Sequence, residues 1–220
     1  IICKTDDAGA TWTIYTPGIL GKIWGLDALD SENAWAVGTD GLIIKTDDGG
    51  QSWQVKNSGS VNTLLGVDVV DSLTVWAVGV DGTIIKTTDG GASWQSQASG
   101  TYQWLWDISA VDSQIAWTAG HWGVVLKTTN GGGSWVQQMD LSSNFFYGVS
   151  AVDADIAWVA GGFISPESGV VMKTIDGGTT WSTQMTGDRL LTDVSAVDAN
   201  TAWAGGYHYE CIKTNDGGTS

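Results

Sequence analysis

Six copies of one short phrase run through the chain at a nearly constant spacing, and this repeat constrains the fold more than any other feature. Five copies are complete and end in tryptophan, from KTDDAGATW at residues 4–12 to KTIDGGTTW at residues 173–181, and a sixth begins at Lys213. Successive tryptophans of these copies lie 41, 41, 41 and 46 residues apart. A fixed period of about 40 residues predicts an architecture in which each copy is one structural unit.

Each repeat carries the signals of four short strands. A second phrase, such as GVDVVDSLTVWAVG at residues 66–79, predicts two apolar strands separated by a polar turn. The pairs Asp40-Gly41 and Asp81-Gly82 then predict tight two-residue turns, because both residues of such a turn take positive φ. A third strand and, after the Asp-Gly-Gly turn, a fourth complete the unit. Four antiparallel strands per repeat predict an all-β fold, a β-propeller of four-stranded blades.

The repeat boundaries divide one domain, residues 1–220, into blades. We expect a partial blade at 1–16, complete blades at 17–57, 58–98, 99–139 and 140–185, and a partial blade at 186–220. Residues 1–11 repeat residues 210–220, so the unique length is about five repeats. Because the redundant strand has no place in a closed five-bladed ring, we favour part of a larger propeller, with the five-bladed ring as the alternative. The chain starts inside a third strand, so we expect a processed, partial or permuted chain.

The repeated phrase resembles a known motif. The pattern [ST]-x-D-x-G-x-[ST]-W is similar to the Asp-box, or BNR repeat, of sialidases and related propellers. Together with the VDSxxAWAVGxDGxIIKTTDGG phrase, it resembles more narrowly the photosystem II assembly-factor-type repeat, which also occurs in secreted bacterial proteins. The resemblance covers essentially the whole chain. It implies a propeller fold, but one fold hosts many activities.

In the resembled family the aspartate of the motif is structural. An Asp or Asn side chain can accept backbone N–H groups further along its own turn. We assign that role to the six residues at this position: Asp7, Asp48, Asp89, Asn130, Asp176 and Asp216. Ten of the 14 tryptophans also occupy repeat positions, and we expect each to pack between adjacent blades. They are Trp12, Trp53, Trp94, Trp135, Trp181, Trp35, Trp76, Trp117, Trp158 and Trp203.

The net charge of the chain limits the classes of molecule that it is expected to bind. The net charge is −15, and six of the nine basic residues are the repeated lysine of the KT phrase. Nucleic acids and anionic membranes require a basic face, which this chain cannot assemble. No apolar run is long enough for a transmembrane helix. We therefore expect no nucleic acid partner and no membrane insertion, and we expect no cofactor and no metal site. The secreted relatives favour an extracellular or cell-surface location.

The two cysteines, Cys3 and Cys211, lie in equivalent third strands at opposite ends of the chain. Aligned by repeat they are one residue out of phase, so they face opposite sides of their strands. Disulfide geometry requires a close approach of the two Cβ atoms. We therefore expect two buried thiols rather than a bridge that closes the ring.

Departures from the repeat concentrate on the rim formed by the turns between second and third strands and by the loops between blades. We select as ligand-binding candidates His121, Trp122, Tyr102, Trp104, Phe163, Tyr207 and Tyr209. Aromatic rings interspersed with polar groups suit a glycan or peptide surface. Trp24, Trp106 and Tyr147 share one repeat position, and for these three we favour plugging of the channel mouth or packing on neighbouring loops.

Enzymatic activity is the competing hypothesis. Sialidases of the resembled class hold substrate with three arginines, and this chain has only Arg189, which excludes that activity. Other glycosidases require two carboxylates at a defined separation. Candidates on the irregular rim are Asp140, Glu167, Asp188 and Glu210, but nothing in the sequence pairs them.

We therefore predict a non-enzymatic binding or scaffold module of a secreted or cell-surface protein, with no catalytic residue. Its partner would be a protein, a glycan or another copy of itself. Self-association would use the open strands at the two ends, because unpaired strand edges are templates for pairing. The alternatives are an Asp-box-class glycoside hydrolase and a client-binding assembly factor.

Overall fold

The repeats fold into six antiparallel sheets that follow one another in sequence order. The computed structural model describes residues 1–141, 144–164, 167–209 and 211–218, without the side chains of residues 140, 164, 167 and 209. Within these ranges the helical segments are single 3-10 turns of three residues, at Thr39–Gly41, Val80–Gly82, His121–Gly123 and Tyr207–Tyr209. The prediction of an all-β fold is confirmed.

Two partial sheets flank four complete ones. The first sheet pairs β1 (Ile2–Lys4) with β2 (Thr13–Tyr15). The complete sheets each hold four strands in sequence order: β3 (Ile23–Ala28), β4 (Ala34–Gly38), β5 (Leu42–Thr46), β6 (Gln54–Asn57); β7 (Leu64–Val69), β8 (Val75–Gly79), β9 (Ile84–Thr87), β10 (Gln95–Gln97); β11 (Leu105–Ala110), β12 (Ala116–Gly120), β13 (Val124–Thr128), β14 (Val136–Asp140); β15 (Phe145–Ala151), β16 (Ala157–Ile164), β17 (Glu167–Thr174), β18 (Ser182–Gly187). The last sheet holds β19 (Leu191–Ala196), β20 (Ala202–Gly206) and β21 (Cys211–Thr214).

The first strands of successive sheets lie side by side, which makes them the inner strands of a propeller. β3 contacts β7, β7 contacts β11, β11 contacts β15, and β15 contacts β19. In the described part of the chain no comparable contact joins β19 to the first two sheets, so the blades form an open arc. This arc agrees with the prediction of part of a larger propeller rather than a closed five-bladed ring.

The turns between second and third strands have the predicted backbone. Asp40 has φ 56° and Gly41 has φ 69°, and Asp81 and Gly82 have φ 56° and 65°. A Cβ atom on Gly41 would lie 2.0 Å from the carbonyl oxygen of Ser60. Glycine is therefore required at the second turn position both by its positive φ and by the close approach of the loop that leads from β6 to the next blade.

The turn between third and fourth strands is held by the side chain at the motif position. Asp48 accepts the backbone N–H of Ser52 at 2.8 Å and the Ser52 hydroxyl at 2.6 Å. The hydrogen bonds from Ser52 lower the pKa of Asp48 to about 2. Asn130 accepts the backbone N–H of Ser134 at 2.9 Å in the same way. The amide oxygen thus replaces the carboxylate at this position without loss of the backbone bond.

Tryptophan pairs fill the interfaces between blades. The second-strand tryptophan of one blade meets the fourth-strand tryptophan of the next blade edge to face: Trp35 with Trp94 at 5.8 Å, Trp76 with Trp135 at 5.6 Å, and Trp117 with Trp181 at 6.0 Å between ring centroids. Trp35, Trp76, Trp117 and Trp158 are at most 1% exposed. These four confirm the predicted packing between blades.

The packing prediction is wrong for two tryptophans at the ends of the arc. Trp12 is 59% exposed and Trp203 is 38% exposed. Trp12 lies next to the two-stranded first sheet and Trp203 lies on the three-stranded last sheet, and no further sheet of the described chain covers them. The expectation of buried thiols is also wrong, because Cys3 and Cys211 are both free and exposed. Both cysteines lie in these partial sheets, where covering neighbours are fewer.

The repeated lysine links adjacent blades, a role that the sequence analysis did not assign. The ammonium group of Lys86 lies 4.1 Å from the ring centroid of Trp76 in its own blade. It also donates to the carbonyl oxygens of Ser113 at 2.6 Å and Gly131 at 3.2 Å in the next blade. Lys127 repeats this arrangement over Trp117. Each such lysine therefore ties two blades together.

We expect Lys86→Met to lower the free energy of unfolding by about 2 kcal/mol, because two partly buried carbonyl groups lose a charged donor. Urea denaturation followed by far-UV circular dichroism measures the loss. The matched control is Lys22→Met, since Lys22 is an exposed lysine outside the repeat. Equal effects of the two substitutions would contradict the linking role.

Candidate functional site

One turn departs from the repeat in a way that costs backbone energy. The turn position occupied by Asp40 and Asp81 is taken by Trp122 in the next blade, with φ 57° and ψ 34°. The left-handed region is unusual for a bulky side chain and costs roughly 1–2 kcal/mol. Asp tolerates this region because its side chain can bond locally, whereas an indole gains nothing comparable. Such strain directs attention to function.

The loop that precedes β11 brings a second aromatic ring to this turn. The rings of Trp104 and His121 stack with their centroids 5.3 Å apart and their planes at 14°. The backbone N–H of His121 donates to the carbonyl oxygen of Trp104 at 2.9 Å, which holds the loop and the turn together. The predicted candidates Trp104, His121 and Trp122 therefore lie in one place.

Bulges in the inner strands add further rings. The pairing of each inner strand with its neighbour shifts register by one residue, and the residue at the shift is Trp24 in β3, Trp106 in β11 and Tyr147 in β15. A bulge leaves its extra residue unpaired and redirects the side chain. Trp106 lies 6.5 Å from Trp24 and 5.3 Å from Tyr147 between ring centroids.

Together these rings form one continuous surface. His121 lies 5.4 Å from Trp106 and 4.8 Å from Phe145, and Phe145 lies 5.2 Å from Trp122. We call this group the aromatic cluster: Trp24, Trp104, Trp106, His121, Trp122, Phe145 and Tyr147. Trp24 reaches Trp106 although β7 lies between their strands, so the rings meet at the mouth of the axis that the inner strands surround.

A large part of the aromatic cluster is open to solvent. Trp24 is 51% exposed, Trp122 50% and Trp104 41%. At about 250 Å² for a whole tryptophan side chain, these three leave on the order of 300 Å² of ring surface uncovered. Exposed apolar patches of this size commonly mark interaction sites. The indole N–H of Trp106 is buried and has no hydrogen-bond partner among the described residues, which leaves a donor unused within the cluster.

The cluster is electrically neutral at physiological pH. Burial lowers the pKa of His121, so its imidazole is uncharged near pH 7. Burial and, secondarily, the nearby Tyr207 raise the pKa of Tyr147, which stays protonated. Asp40 and Asp81, both exposed, occupy the equivalent turns of neighbouring blades on the same rim.

Carboxyl groups lie on the inner strands beneath this neutral surface. Asp107 accepts the backbone N–H of Val149 in the next blade at 2.9 Å, and Asp68 accepts that of Ala110 at 3.2 Å. Burial raises the pKa of both carboxyls to about 7 and raises the pKa of Asp193. We call Asp68, Asp107 and Asp193 the axial carboxyls. The sequence does not distinguish them from other acidic residues, because an aspartate in an acidic chain carries no signal of burial.

The remaining binding candidates lie apart from the aromatic cluster. Tyr102 is 89% exposed and borders a polar groove of about 580 Å³, also lined by Asn62, Thr83 and Gln97. Among the described side chains, neither Tyr102 nor Phe163 makes a ring contact with the cluster. Tyr207, which is exposed, lies close enough to influence Tyr147. The side chain of Tyr209 lies outside the described part.

The carboxylates proposed for glycosidase chemistry are mostly outside the described part as well. The structure does not describe the side chains of Asp140 and Glu167 or any part of Glu210. Of the four candidates, Asp188 is the one whose side chain is described. Across the described ranges, no group of three or more His, Cys, Asp or Glu side chains is arranged to hold a metal ion. The helical segments of the described chain include none of the length and apolarity needed to cross a membrane.

Comparison with protein-family models identifies the family of the chain. Residues 59–186, more than half of the 220-residue chain, match the family model of the photosynthesis system II assembly factor YCF48. The chain belongs to the YCF48 family. This confirms the resemblance to photosystem II assembly-factor-type repeats. No curated protein matches the chain.

Solved structures similar to this YCF48-family chain include both glycoside hydrolases and YCF48 itself. An ancestral GH74 enzyme has a TM-score of 0.76 at 14% identity, covering 96% of this chain and 33% of the enzyme. The GH74 xyloglucanase from Xanthomonas campestris has a TM-score of 0.72 at 12% identity, covering 98% of this chain and 41% of the enzyme. YCF48 bound to D1 peptide has a TM-score of 0.52 at 16% identity, covering 94% of this chain and 85% of that one. These identities establish the propeller fold alone, and the chain spans about a third of the first enzyme's length.

The YCF48-type repeat explains why three of the seven cluster rings resemble packing residues in the sequence. Trp24, Trp106 and Tyr147 share a repeat position with Leu65 and Thr192, which suggested packing. The useful signal was the chemical variability of that position, since a residue needed only for packing between blades recurs unchanged, as Trp76 does in its own position.

Proposed function

We propose that the chain is a non-enzymatic binding module whose aromatic cluster binds an extended peptide segment of a partner protein. The observation that carries the proposal is the continuity of seven rings with three half-exposed tryptophans at one mouth of the propeller. Tryptophan and tyrosine dominate the energetic centres of protein interfaces, because they bury a large area for few rotatable bonds.

Ring orientation favours a peptide over a glycan. Sugar rings stack on flat aromatic faces, but most neighbouring rings of the cluster are inclined to one another, by 47° for Trp122 and Phe145 and by 77° for Trp24 and Trp106. Inclined rings enclose recesses that accept individual side chains, as peptide recognition requires. YCF48, the namesake of the family, has been solved with a D1 peptide bound, which also supports a peptide ligand.

Glycan binding is the second candidate, favoured by the polar groove beside Tyr102. Its lining supplies hydroxyl and amide groups next to one exposed ring, a combination suited to sugars. The GH74 enzymes share the propeller fold at low identity. If this candidate is correct, ligand contacts would involve Tyr102 rather than Trp104.

The test is selection of a displayed random peptide library on the 220-residue chain, followed by calorimetry with the selected peptides. We expect Trp104→Ala and Trp122→Ala each to weaken binding by at least about tenfold, the usual effect of losing a central aromatic contact. The matched control is Trp12→Ala, since Trp12 is an exposed tryptophan in another sheet. Melting temperatures verify that all three variants fold.

Unchanged affinity of the cluster variants would overturn the peptide proposal. Xyloglucan oligosaccharides are titrated in parallel. Binding of these sugars that is lost in Tyr102→Ala and kept in Trp104→Ala would replace the peptide proposal with the glycan candidate.

A further inference from the structure

Cation–π contacts between lysine and tryptophan recur throughout the structure of this chain. The repeated lysine lies over the second-strand tryptophan of its own blade in five blades, at 4.1–5.1 Å from the ring centroid. Attraction between a cation and the negative face of an aromatic ring produces this arrangement, and tryptophan is the strongest partner. These lysines lie over the second-strand tryptophans and not over rings of the aromatic cluster.

Three rings of the cluster are arranged as an open cage. Trp106 contacts both Trp24 and Trp104, with ring planes inclined by 77° and 56° and centroids 6.5 Å and 6.0 Å apart. Trp106 is largely covered, whereas Trp24 and Trp104 are half-exposed. Trp106 therefore forms the floor and the other two rings form walls. His121 stacks on one face of Trp104, which leaves the opposite face of Trp104 for a guest. Inclined rings of this kind can surround one ammonium or guanidinium group.

The electrostatic surroundings favour a positive guest. The imidazole stacked on Trp104 is neutral near pH 7 because burial lowers the pKa of His121. Exposed Asp40 and Asp81 lie in the turns of the same rim. The chain as a whole carries a net charge of −15, which attracts cationic ligands.

From these observations we infer that the cage of Trp24, Trp104 and Trp106 binds a lysine or arginine side chain of the peptide segment. The inference rests on the proposed function and adds to it the chemical class of the ligand's anchoring residue. The basic side chain would place its charged group between the two wall rings and its methylene groups against Trp106. A basic anchor also suits the composition of this chain, which has nine basic and 24 acidic residues.

The first test uses small probes on the ¹⁵N-labelled chain. Tetramethylammonium and Nα-acetyl-lysine methylamide are titrated at constant ionic strength, with Nα-acetyl-norleucine methylamide as the neutral control of similar shape. We expect the indole N–H signals of Trp24, Trp104 and Trp106 to shift with both cations, and the norleucine probe to bind about tenfold more weakly. The indole signals of buried Trp76 and Trp117 serve as internal references.

The second test separates ring faces from general hydrophobicity. Trp104→Leu keeps an apolar surface but removes the π face, so we expect it to abolish the response to tetramethylammonium. Equal binding of the norleucine and lysine probes, or a full tetramethylammonium response in Trp104→Leu, would overturn the inference.

The outcomes also separate this inference from the proposed function. The library-selected peptides are also prepared with each lysine or arginine replaced by norleucine. If these variants bind at the cluster with unchanged affinity, the peptide proposal stands and the cationic anchor is refuted. Cation binding at the cage without any peptide binding at the cluster would support the cage and refute the peptide proposal.

Discussion

Replacing Trp117 with alanine is expected to lower the free energy of unfolding by about 3–5 kcal/mol, the range for large buried aromatic side chains. Trp117 is fully buried, contacts Trp181 of the next blade edge to face, and packs with Val125 and Phe146. Removal of the Trp117 side chain leaves a cavity between two sheets. The sheets can close this cavity only if their backbones move. Chemical denaturation with intrinsic fluorescence and circular dichroism measures the loss.

The repeat supplies a matched control at the same position of another blade. Trp203 aligns with Trp117 but is 38% exposed, and in the described part of the chain no further sheet lies against it. Trp203→Ala should therefore cost less, about 2 kcal/mol, since less apolar area returns to water. Similar losses for the two variants would mean that burial between blades is not what makes these tryptophans stabilising.

The stability of the folded chain is expected to fall as the pH rises from about 4 to about 7, by up to about 3 kcal/mol for each of two buried carboxyls. Burial raises the pKa of Asp68 and Asp107 from the ordinary value of 3.8 to about 7. Between these two values the folded chain holds protons that the unfolded chain has released. Each further rise in pH therefore favours unfolding until the folded-state carboxyls also ionise, above which the curve flattens.

The turn aspartates act in the opposite direction at lower pH. Hydrogen bonds from Ser52 and Ser93 lower the pKa of Asp48 and Asp89 to about 2. Stability from these groups is present above their ordinary value and is lost as the pH falls toward 2. Stability should therefore be greatest near pH 4–5, which is a low optimum for a folded domain.

The substitution Asp107→Asn tests how much one buried carboxyl contributes to the pH dependence of stability. The amide oxygen can accept the Val149 N–H as the protonated acid does, but it cannot ionise, so we expect a flatter pH profile and a gain in stability at pH 8. Asp48→Asn is the control, because the pKa of Asp48 lies below this window. Urea midpoints at several pH values measure both variants. A slope in Asp107→Asn equal to that of the unsubstituted chain would show that Asp107 is ionised throughout.

Local chemistry explains which features could be predicted from the sequence. The spacing of Trp53 and Trp94 indicates the size of the repeat, and Asp40-Gly41 indicates a turn that only a few residue pairs can adopt. The hydrogen bonds of Asp48 span four residues. Such features depend on contacts within one repeat, so a single copy contains the information and six copies repeat it.

Contacts between repeats could not be predicted in the same way. Trp24 and Trp106 are 82 residues apart in the chain, yet their rings meet because bulged inner strands direct them toward a common axis. Lys86 reaches the carbonyl of Ser113 only because the next blade lies at that distance. The exposure of Cys3 and Cys211 depends on which sheets lie beside them. Residue type does not determine that arrangement.

The sequence by itself therefore determined the blade, its four strands and its turns, because these follow from strand alternation and turn chemistry within about 40 residues. The tertiary structure decided the aromatic cluster, the lysine links between blades and the raised pKa of Asp107. Each of these depends on the rotation from one blade to the next, which sets which side chains meet and which carboxyls lose water. That rotation arises from side-chain packing between sheets, and no single repeat encodes it.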